Sequence, residues 1–328
     1  MAAARVGVGP APPEPRIAPH ESCQPGTCVA RSGAAGPFRR RLGGPRESPD
    51  GDTAADVFHR GQWKKENVPD ELFDVTDLLV IVTGGARGIG RGAASALLER
   101  GANVVLWDIR EDALAPGGQL ASGRLGELAP WRERVRAEVV DVSAADAVER
   151  AAQAVLRDGP VDVLINCAGI SSHRRPVLEI PQTDWDRMLA VNFTETLHTC
   201  RALGQSMVAR GAGSIINVSS IDAVDPSPGI LHYAVSKAAV AMLTTGLARE
   251  WAAVGVRVNA VGPGPILTPM TAPILESHAG LRDRWEASVP LGRIGTPADL
   301  AGIFVYLASP ASAWVTGRSF YIDGGWLL

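Results

Sequence analysis

An α/β fold with one doubly wound, parallel, seven-stranded sheet and helices on both faces is predicted by three features of this sequence. Short apolar runs alternate with longer helical stretches from residue 74 onward, a rhythm typical of crossover connections between parallel strands. The runs are almost continuously apolar, as expected for strands that are covered on both faces. A glycine-rich turn follows the first run and leads directly into an Ala-rich helix.

The individual elements follow from these patterns. The apolar runs predict strands at Leu78–Val82, Val104–Trp107, Val135–Val140, Val161–Ile165, Ser214–Val218, Val256–Val261 and Ser319–Ile322. The stretches between them predict helices at Ile89–Arg100, Ala144–Arg157, Asp184–Arg210, His232–Ala253 and Pro297–Ala308. Because no internal repeat interrupts this alternation, residues 74–328 are expected to form a single domain.

Residues 1–73 have a different composition. They contain nine prolines between Pro10 and Pro49, many Gly and Arg residues and almost no apolar periodicity. Such a segment cannot bury enough surface to offset the entropy cost of ordering it, so a disordered N-terminal extension is predicted. The run from Arg39 to Arg41 is compatible with an organelle-targeting presequence, but Glu14 and Glu21 argue against one. A tail without a catalytic role, or a start codon assigned too early, is the preferred interpretation.

The overall composition argues against several classes of function. A formal net charge of -3 disfavours nucleic acid as the main partner, because phosphate binding requires a concentrated basic surface. No run approaches the roughly 20 consecutive apolar residues of a membrane-spanning helix, so no membrane partner is expected. A small-molecule substrate is the remaining kind of partner.

The four cysteines indicate a reducing compartment, and we expect a cytoplasmic protein. Cys167 and Cys200 lie inside apolar segments, and a disulfide framework is not expected in a chain of this length. Cys23 and Cys28 are not followed by a second Cys or His pair at metal-ligand spacing, so no metal is expected.

The turn after the first strand has the pattern of a dinucleotide site. Gly84, Gly88 and Gly90 allow a tight turn and a close approach of the backbone to a pyrophosphate, which would lie at the N-terminus of the next helix. Arg87 and Ile89 complete this turn. Glycine is common in tight connections, and it is the position between a strand and a helix that predicts a Rossmann-type cofactor site here.

Asp108 ends the second strand, 24 residues after Gly84. A carboxylate there can accept hydrogen bonds from the adenosine ribose hydroxyls and would repel the 2'-phosphate of NADP, which predicts NAD as the cofactor. Arg87 can pair with a 2'-phosphate, so use of NADP stays open. A helix cap for the following segment is the alternative role of Asp108.

Three further segments are candidates for cofactor contacts. Asp141 and Val142, after the third strand, are placed to hold the adenine ring, although Asp141 is equally a candidate helix N-cap. The small residues around Asn166, Ala168 and Gly169 would let the flat cofactor lie against the backbone, or they form a plain exit from the fourth strand. The turn after the sixth strand offers backbone groups for the carboxamide and a hydroxyl for a phosphate oxygen, at Pro263, Gly264, Ile266 and Thr268.

A second set of residues carries acid–base chemistry. Tyr233 and Lys237 lie four residues apart at the start of a predicted helix, so their side chains share one helix face. Ser220 ends the fifth strand and reaches the same crevice at the carboxyl ends of the strands, where ligands of open α/β sheets bind.

From residue 74 to the C-terminus, these motifs resemble the short-chain dehydrogenase/reductase family, in particular its sugar-acid dehydrogenases and 3-oxoacyl-carrier-protein reductases. The resemblance also rests on Val191-Asn192, on Pro263-Gly264 and on a late Asp323-Gly324-Gly325. Cys167 departs from the family pattern, which often has a second Asn there.

The resemblance implies a role for each catalytic candidate. Tyr233 would be the general acid in ketone reduction and the general base in alcohol oxidation, which requires its phenol pKa to fall from about 10 toward neutrality. Lys237 would help to lower that pKa and bind the nicotinamide ribose, and Ser220 would bind the substrate oxygen. Asn192 would order a water beside Lys237. The plainer alternatives are a helix kink at Asn192 and a sheet-edge hydroxyl at Ser220.

The expected activity is therefore the NAD(P)-dependent interconversion of a secondary alcohol and a ketone. Polar residues near the predicted pocket favour a sugar, sugar acid or polyol: His173, Arg174, Arg175, Asp222, Asp225 and His232. Reduction of a 3-oxoacyl thioester and, with a lower expectation, NAD binding without turnover are the alternatives. The segment from Pro269 to Pro290 would be a lid over the substrate. A homotetramer or homodimer is implied, with the long helices as subunit contacts.

Overall fold

The computed structural model describes residues 70–110 and 126–328. Most of the predicted N-terminal extension, residues 1–69, lies outside the described residues. The described part begins with a short 3-10 helix, Asp70–Phe73, just before the first strand.

The described residues form one seven-stranded sheet in which every strand pairs in parallel with its neighbours. The strands are β1 (Leu79–Thr83), β2 (Asn103–Asp108), β3 (Val135–Val139), β4 (Val163–Asn166), β5 (Gly213–Val218), β6 (Val256–Pro263) and β7 (Ser319–Ile322). Their order across the sheet is β3-β2-β1-β4-β5-β6-β7. The prediction of a doubly wound parallel α/β sheet is confirmed.

Helices cover both faces of this sheet. They are α1 (Gly88–Leu98), α2 (Ala145–Asp158), α3 (Gln182–Leu189), α4 (Glu195–Arg210), α5 (Leu231–Trp251), α6 (Ala272–Ser277), α7 (Leu281–Ser288) and α8 (Ala301–Ala308). Residues of α1 and α8 pack in one apolar cluster, whereas residues of α2, α4 and α5 pack in a second one. None of the described helices has the length and the apolar character needed to cross a bilayer.

The alternation of side chains along each strand explains why the strands are apolar throughout. In β1, Val80 and Val82 belong to the cluster of α1 and α8, whereas Ile81 belongs to the cluster of α2, α4 and α5. Successive side chains of a strand point to opposite faces. A strand buried on both faces therefore needs an apolar residue at every position.

Two helix predictions differ from the structure. The region predicted as one helix from Asp184 to Arg210 contains α3 and α4 joined by a π-helical turn, Ala190–Thr194. Such a turn inserts an extra residue without changing the hydrophobic pattern enough to be recognised. The segment from Pro269 to Pro290, which has no strong periodicity, contains the short helices α6 and α7. Helices of six and eight residues are too short to produce a clear period.

Candidate active site

The candidate site lies at the carboxyl ends of β1, β4 and β5. The chain adds β2 and β3 on one side of β1, and then crosses back to add β4 on the other side. This change of direction is the topological switch point, where open α/β sheets bind their ligands in a crevice. The predicted glycine turn and the predicted catalytic residues both open into this region.

The glycine turn is shaped by its contacts with the end of β4. Gly84 has a φ of +63°, and a Cβ atom there would lie 2.8 Å from the Cα atom of Ala168. A Cβ on Gly90 would collide with the carbonyl oxygen of Gly84. Thr83 fixes the same junction, because its Oγ1 accepts hydrogen bonds from the backbone amides of Cys167 and Ala168 at 3.0 and 3.1 Å. Sequence reasoning did not identify this role of Thr83.

The start of α1 is suited to a pyrophosphate. Arg87 is the N-cap residue in an extended conformation, and no side chain among the described residues caps the first amides of this helix. Gly88 faces Thr268 across a gap, since a Cβ on Gly88 would lie 3.6 Å from the Cβ of Thr268. Uncapped amides at a helix N-terminus attract anions, and the absent side chain leaves space for one. The turn therefore fits a dinucleotide.

Asp108 lies beside this turn and is largely buried. Its Oδ2 accepts a hydrogen bond from the Ala86 amide at 3.0 Å, and its Oδ1 accepts one from the Arg110 amide at 3.1 Å. The carboxylate thus supports the glycine turn from the end of β2. A carboxylate has about four acceptor positions, so acceptor capacity remains for ribose hydroxyls.

The adenine candidates after β3 differ from each other. Asp141 is exposed, and its Oδ1 accepts hydrogen bonds from the amide and the hydroxyl of Ser143 at 3.0 and 2.6 Å. Ala144 is the N-cap of α2, so the alternative assignment of Asp141 as an N-cap is wrong. The side chain of Val142 packs in the apolar cluster of α2, which leaves mainly its backbone for an adenine contact.

The side chain of Asn166 points into the sheet and not into the crevice. Its Nδ2 donates to Asn217 Oδ1 at 2.8 Å, and its Oδ1 accepts a hydrogen bond from the Thr199 hydroxyl at 2.7 Å. Asn217 continues this buried network to the hydroxyl of Thr244 at 2.9 Å. The backbone of Asn166 remains for the cofactor contact that the sequence predicts, because both polar ends of the side chain connect β4 to β5 and α4.

Asn192 occupies the π-helical turn and is fully buried. Its Oδ1 accepts a hydrogen bond from the Ile170 amide at 2.8 Å, and its Nδ2 donates one to the Ile170 carbonyl at 2.9 Å. The side chain thereby fixes the loop after β4. A Cβ on Gly169 would lie 3.4 Å from Asn192 Oδ1 and 3.6 Å from Lys237 Nζ, in ordinary van der Waals contact with both groups.

The catalytic candidates come together as predicted. Ser220 lies two residues after the end of β5, and its hydroxyl group lowers the pKa of the Tyr233 phenol. The same hydroxyl donates to Asp222 Oδ2 at 3.2 Å. Lys237 Nζ lies 5.9 Å from the centre of the Tyr233 ring and donates a hydrogen bond to the Val218 carbonyl at 2.9 Å. The crevice is therefore lined by a phenol, an ammonium group, a hydroxyl group and a carboxylate, which belong to Tyr233, Lys237, Ser220 and Asp222.

The turn after β6 closes the site on the side of the glycine turn. Pro263 ends β6, and a Cβ on Gly264 would lie 2.6 Å from the Cα of Asp323, so only glycine fits there. The Ile266 carbonyl accepts a hydrogen bond from the Thr271 hydroxyl at 2.6 Å, while the Thr268 hydroxyl lies 3.2 Å from that of Thr271. These bonds fix the backbone of the turn and direct Thr268 toward Gly88.

The matches to known proteins agree with this geometry. Residues 84–327 match the sequence profile described as enoyl-(acyl carrier protein) reductase. A galactitol 2-dehydrogenase (L-tagatose-forming) of Cereibacter sphaeroides is 38% identical over 257 residues, which are 78% of this chain and 97% of that protein.

The chain belongs to the short-chain dehydrogenase/reductase family.

Two further members of the short-chain dehydrogenase/reductase family show how varied the relatives of this chain are. A 3-oxoacyl-[acyl-carrier-protein] reductase of Chlamydia pneumoniae is 37% identical over 247 residues, 75% of this chain and 95% of that protein. The crystal structure of a gluconate 5-dehydrogenase from Burkholderia cenocepacia, in complex with NADP and tartrate, has a TM-score of 0.72 and 32% identity. It covers 78% of this chain and 98% of that chain. This short-chain dehydrogenase/reductase is an NAD(P)-dependent oxidoreductase acting on CH–OH groups, as predicted.

In this short-chain dehydrogenase/reductase, the pKa values of Tyr233 and Lys237 are shifted away from those that proton transfer requires. Burial, and after it the charge of Asp222, raise the pKa of Tyr233 to about 12, although the interaction with Ser220 acts in the opposite direction. Burial also lowers the pKa of Lys237. Without the cofactor the phenol therefore holds its proton firmly.

Several polar residues expected near the substrate have other roles in the short-chain dehydrogenase/reductase fold. His232 is buried, with its Nε2 2.8 Å from the Ser172 hydroxyl and its ring stacked on that of Trp185 at 6.2 Å. Arg174 donates to the Pro228 carbonyl at 2.8 Å, and Arg175 lies 3.5 Å from Asp184. Of these expected residues, Asp222 is the one that hydrogen-bonds to Ser220, one of the catalytic candidates.

Proposed function

We propose that Tyr233 is the proton-transfer residue of this oxidoreductase, with Ser220 and Lys237 as its partners and Asn192 as the residue that orders the adjoining loop. The observation that carries the proposal is the meeting of the Tyr233 phenol, the Ser220 hydroxyl and the Lys237 ammonium group next to the glycine turn. A bound nicotinamide supplies hydride transfer to or from the substrate carbon. The chain itself has to bind the substrate oxygen and move its proton.

In alcohol oxidation, the Tyr233 phenolate takes the proton of the substrate hydroxyl while Ser220 holds the oxygen. In ketone reduction, the Tyr233 phenol returns that proton to the oxygen. Lys237 favours the phenolate form, because it brings a positive charge to within 5.9 Å of the ring. Its single described hydrogen bond, to Val218, leaves donor capacity on the ammonium group for ribose hydroxyls.

The same proposal assigns the cofactor contacts. The residues involved are Gly84, Arg87, Gly88, Ile89, Gly90, Asp108, Asp141, Val142, Asn166, Ala168, Gly169, Tyr233, Lys237, Pro263, Gly264, Ile266 and Thr268. We infer that NAD is preferred to NADP. The carboxylate of Asp108 supports this preference, because it lies against the glycine turn where a 2'-phosphate would bring a second negative charge.

The substrate proposed is a sugar, sugar acid or polyol. Asp222 supports this choice, since a half-buried carboxylate that already bonds Ser220 offers an acceptor for a second hydroxyl next to the reacting one. The galactitol and gluconate dehydrogenases among the relatives act on molecules of this kind by their names. Reduction of a 3-oxoacyl thioester is the second candidate, favoured by the Chlamydia relative.

A substrate panel separates these candidates. Purified enzyme is assayed with polyols, sugar acids, sterols and acyl thioesters, each with NAD and with NADP. We expect oxidation of polyols or sugar acids with NAD. Activity confined to acyl thioesters would contradict the sugar or polyol assignment and support the second candidate.

We further infer a cytoplasmic homodimer or homotetramer. Met242 and Val235 are 71% and 39% exposed on α5, and their spacing of seven residues places them on the same helix face. Exposed apolar residues on one face favour contact with another subunit. Cys167 and Cys200 are unpaired thiols, which suits a reducing compartment. Light scattering of the purified protein measures the subunit number.

A further inference from the structure

An ion pair between Arg293 and Asp299 joins the two ends of segment 293–299, which the proposed mechanism does not use. Arg293 Nη1 donates a hydrogen bond to Asp299 Oδ2 at 2.8 Å, and Arg293 Nη2 donates one to Asp299 Oδ1 at 2.6 Å. Two parallel bonds of this kind fix the guanidinium group and the carboxylate in one relative orientation. The pair therefore holds the segment between the two residues in a defined shape.

This ion pair is partly exposed, so its geometry decides how much it contributes. The side chains of Arg293 and Asp299 are 55% and 32% exposed. Exposed ion pairs usually contribute little, and bidentate pairs within a hydrogen-bond network are the exception. Asp299 Oδ2 also accepts hydrogen bonds from the amide and the hydroxyl of Thr296 at 2.7 and 3.0 Å. The hydrogen bonds from Arg293 lower the pKa of the Asp299 carboxyl well below its usual range, so the pair is charged at neutral pH.

Gly295, inside this segment, is bonded to the turn after β6. Its amide donates a hydrogen bond to the Pro265 carbonyl at 2.9 Å, and its carbonyl accepts one from the Leu267 amide at 2.8 Å. Ile266, whose backbone is a candidate for the carboxamide contact, lies between these two bonds. Because one residue makes both bonds, a displacement of Gly295 would displace the backbone on either side of Ile266.

The same segment also contacts α1, the helix that begins at the glycine turn. Thr296 is the N-cap of a short 3-10 helix, Pro297–Leu300. Pro297 packs closely on Gly92 of α1, since a Cβ on Gly92 would lie 2.7 Å from the Cβ of Pro297. Segment 293–299 thus connects α1, on the proposed pyrophosphate side of the site, with the turn on the proposed nicotinamide side.

We propose that Arg293 and Asp299 are positioning residues that hold the turn from Pro263 to Thr268 at the distance from α1 that the nicotinamide half of the cofactor requires. The proposal rests on the proposed function, from which it takes the assignment of this turn to the cofactor. The ion pair fixes the segment, Gly295 connects it to the turn, and Pro297 connects it to α1. Arg293 and Asp299 act through these backbone contacts and not by touching the cofactor.

Loss of the ion pair should let the turn occupy other positions in the cofactor-free protein. The measured affinity of a ligand falls in proportion to the fraction of protein that holds the binding-competent position. NAD spans both halves of the site and would bind more weakly, whereas AMP, which carries only the adenosine half, would bind as before. At saturating NAD the cofactor itself holds the turn, so the rate of turnover is retained.

The test uses Arg293→Gln, which removes the charge and the two parallel bonds. Calorimetry gives the dissociation constants of NAD and of AMP, and initial rates give kcat and the KM for NAD. We expect both the dissociation constant and the KM of NAD to rise about three- to tenfold, with AMP affinity and kcat within about twofold of the wild type. An unchanged ratio of the two dissociation constants would overturn the proposal. An equal loss of affinity for NAD and AMP is one such case, and it would indicate a merely structural role.

Two further variants make the test independent of a single substitution. Asp299→Asn removes the charge from the other partner, while its amide oxygen can still accept the hydrogen bond of the Thr296 amide, and it should weaken NAD binding in the same way. Arg293→Lys keeps the charge but cannot form two parallel bonds, so its NAD affinity should be intermediate. A wild-type NAD affinity in Asp299→Asn would overturn the proposal, even if Arg293→Gln fails to fold.

Arg150→Gln is the matched control. Arg150 donates to Asp146 at 2.7 Å in an exposed ion pair on α2, so the substitution removes the same charge from the surface. We expect its affinities for NAD and AMP to equal those of the wild type. A loss of NAD affinity as large as that of Arg293→Gln would mean that net charge alone acts on the anionic cofactor, and would also overturn the proposal. Failure of the proposed function is a separate result, read from NAD binding by the wild type and from the turnover of Tyr233→Phe.

Discussion

The hydroxyl group of Ser220 acts on two groups, the Asp222 carboxylate and the Tyr233 phenol. It donates a hydrogen bond to Asp222 Oδ2 at 3.2 Å, and it lowers the pKa of the phenol. A serine has a single proton to donate, so the carboxylate and a tyrosinate compete for it. Asp222 therefore affects Tyr233 both by its charge and by holding the serine proton.

Replacement of Asp222 by Asn should lower the pKa of Tyr233. The neutral amide removes the negative charge that raises this pKa, although burial continues to keep it above the ordinary value. Because oxidation requires the phenolate, the acid limb of the oxidation rate should move to lower pH. Absorbance titration of cofactor-free protein measures tyrosinate formation directly, and the chain has only three Tyr residues to resolve.

Asp225→Asn is the control for this experiment, since Asp225 is exposed. We expect neither the titration nor the pH profile to change in it. An unchanged acid limb in Asp222→Asn would show that the Asp222 charge does not act on the proton-transfer step.

Replacement of Tyr233 by Phe should remove turnover and leave cofactor binding intact. The ring is retained, so the packing beside Lys237 is preserved, while the group that exchanges the proton is lost. A positioned acid–base residue contributes about 10²–10⁴-fold to the rate, and we expect kcat to fall by a factor in that range. Fluorescence titration with NAD should give a dissociation constant close to that of the wild type.

A near-normal turnover in this variant would remove Tyr233 from the mechanism. Tyr306→Phe provides the comparison, because this second tyrosine packs against Phe73 and Phe320 away from the crevice. Its turnover should stay near that of the wild type.

Replacement of Asp108 by Asn should shift the cofactor preference toward NADP. The amide oxygen still accepts the hydrogen bond from Ala86, so the glycine turn keeps its support, but the repulsion of a 2'-phosphate disappears. Removing the repulsion between two like charges near a protein surface should change the affinity for NADP relative to NAD by about tenfold or more. The ratio of kcat/KM for NADP to that for NAD is the measurement.

Asp146→Asn on α2 removes an equal charge from an exposed ion pair with Arg150 and should leave this ratio unchanged. If Asp108→Asn leaves the ratio unchanged as well, the carboxylate does not select the cofactor.

Replacement of Asn166 by Ala should destabilise the fold. The substitution leaves the Asn217 amide oxygen without the amide group that donates to it, whereas the Thr199 hydroxyl keeps its backbone acceptors. One unsatisfied buried group of this kind costs about 1–3 kcal/mol, so we expect the free energy of unfolding to fall by roughly that amount. Urea denaturation measures this change.

Asn103→Ala is the control, because the Asn103 side chain makes an exposed hydrogen bond with the Asp77 carbonyl at 3.3 Å. It should lower the unfolding free energy by less than about 1 kcal/mol. NAD affinity should be retained in folded Asn166→Ala. A large loss of affinity without a loss of stability would show that the Asn166 side chain itself contacts the cofactor.

The catalytic arrangement was accessible from the sequence because its signals are local. Tyr233 and Lys237 share a helix face through their four-residue spacing, and Ser220 and Asp108 each follow or end an apolar strand. Strands buried on both faces also need continuous apolar runs, so the sheet could be predicted with strand limits correct to within two residues.

The contacts between distant segments were not accessible in this way. Asn166 shows the reason: a polar residue at the end of an apolar run gives the same local pattern whether it faces a ligand, the solvent or a buried partner. The partners of Asn166 lie 33 and 51 residues away in the chain, and only the packing of β4, β5 and α4 brings them together. The sequence alone predicted the sheet, the glycine turn and the candidate acid–base residues. Tertiary structure decided which polar side chains are buried and which charges interact, because burial and electrostatic interaction depend on distances through space and not on spacing along the chain.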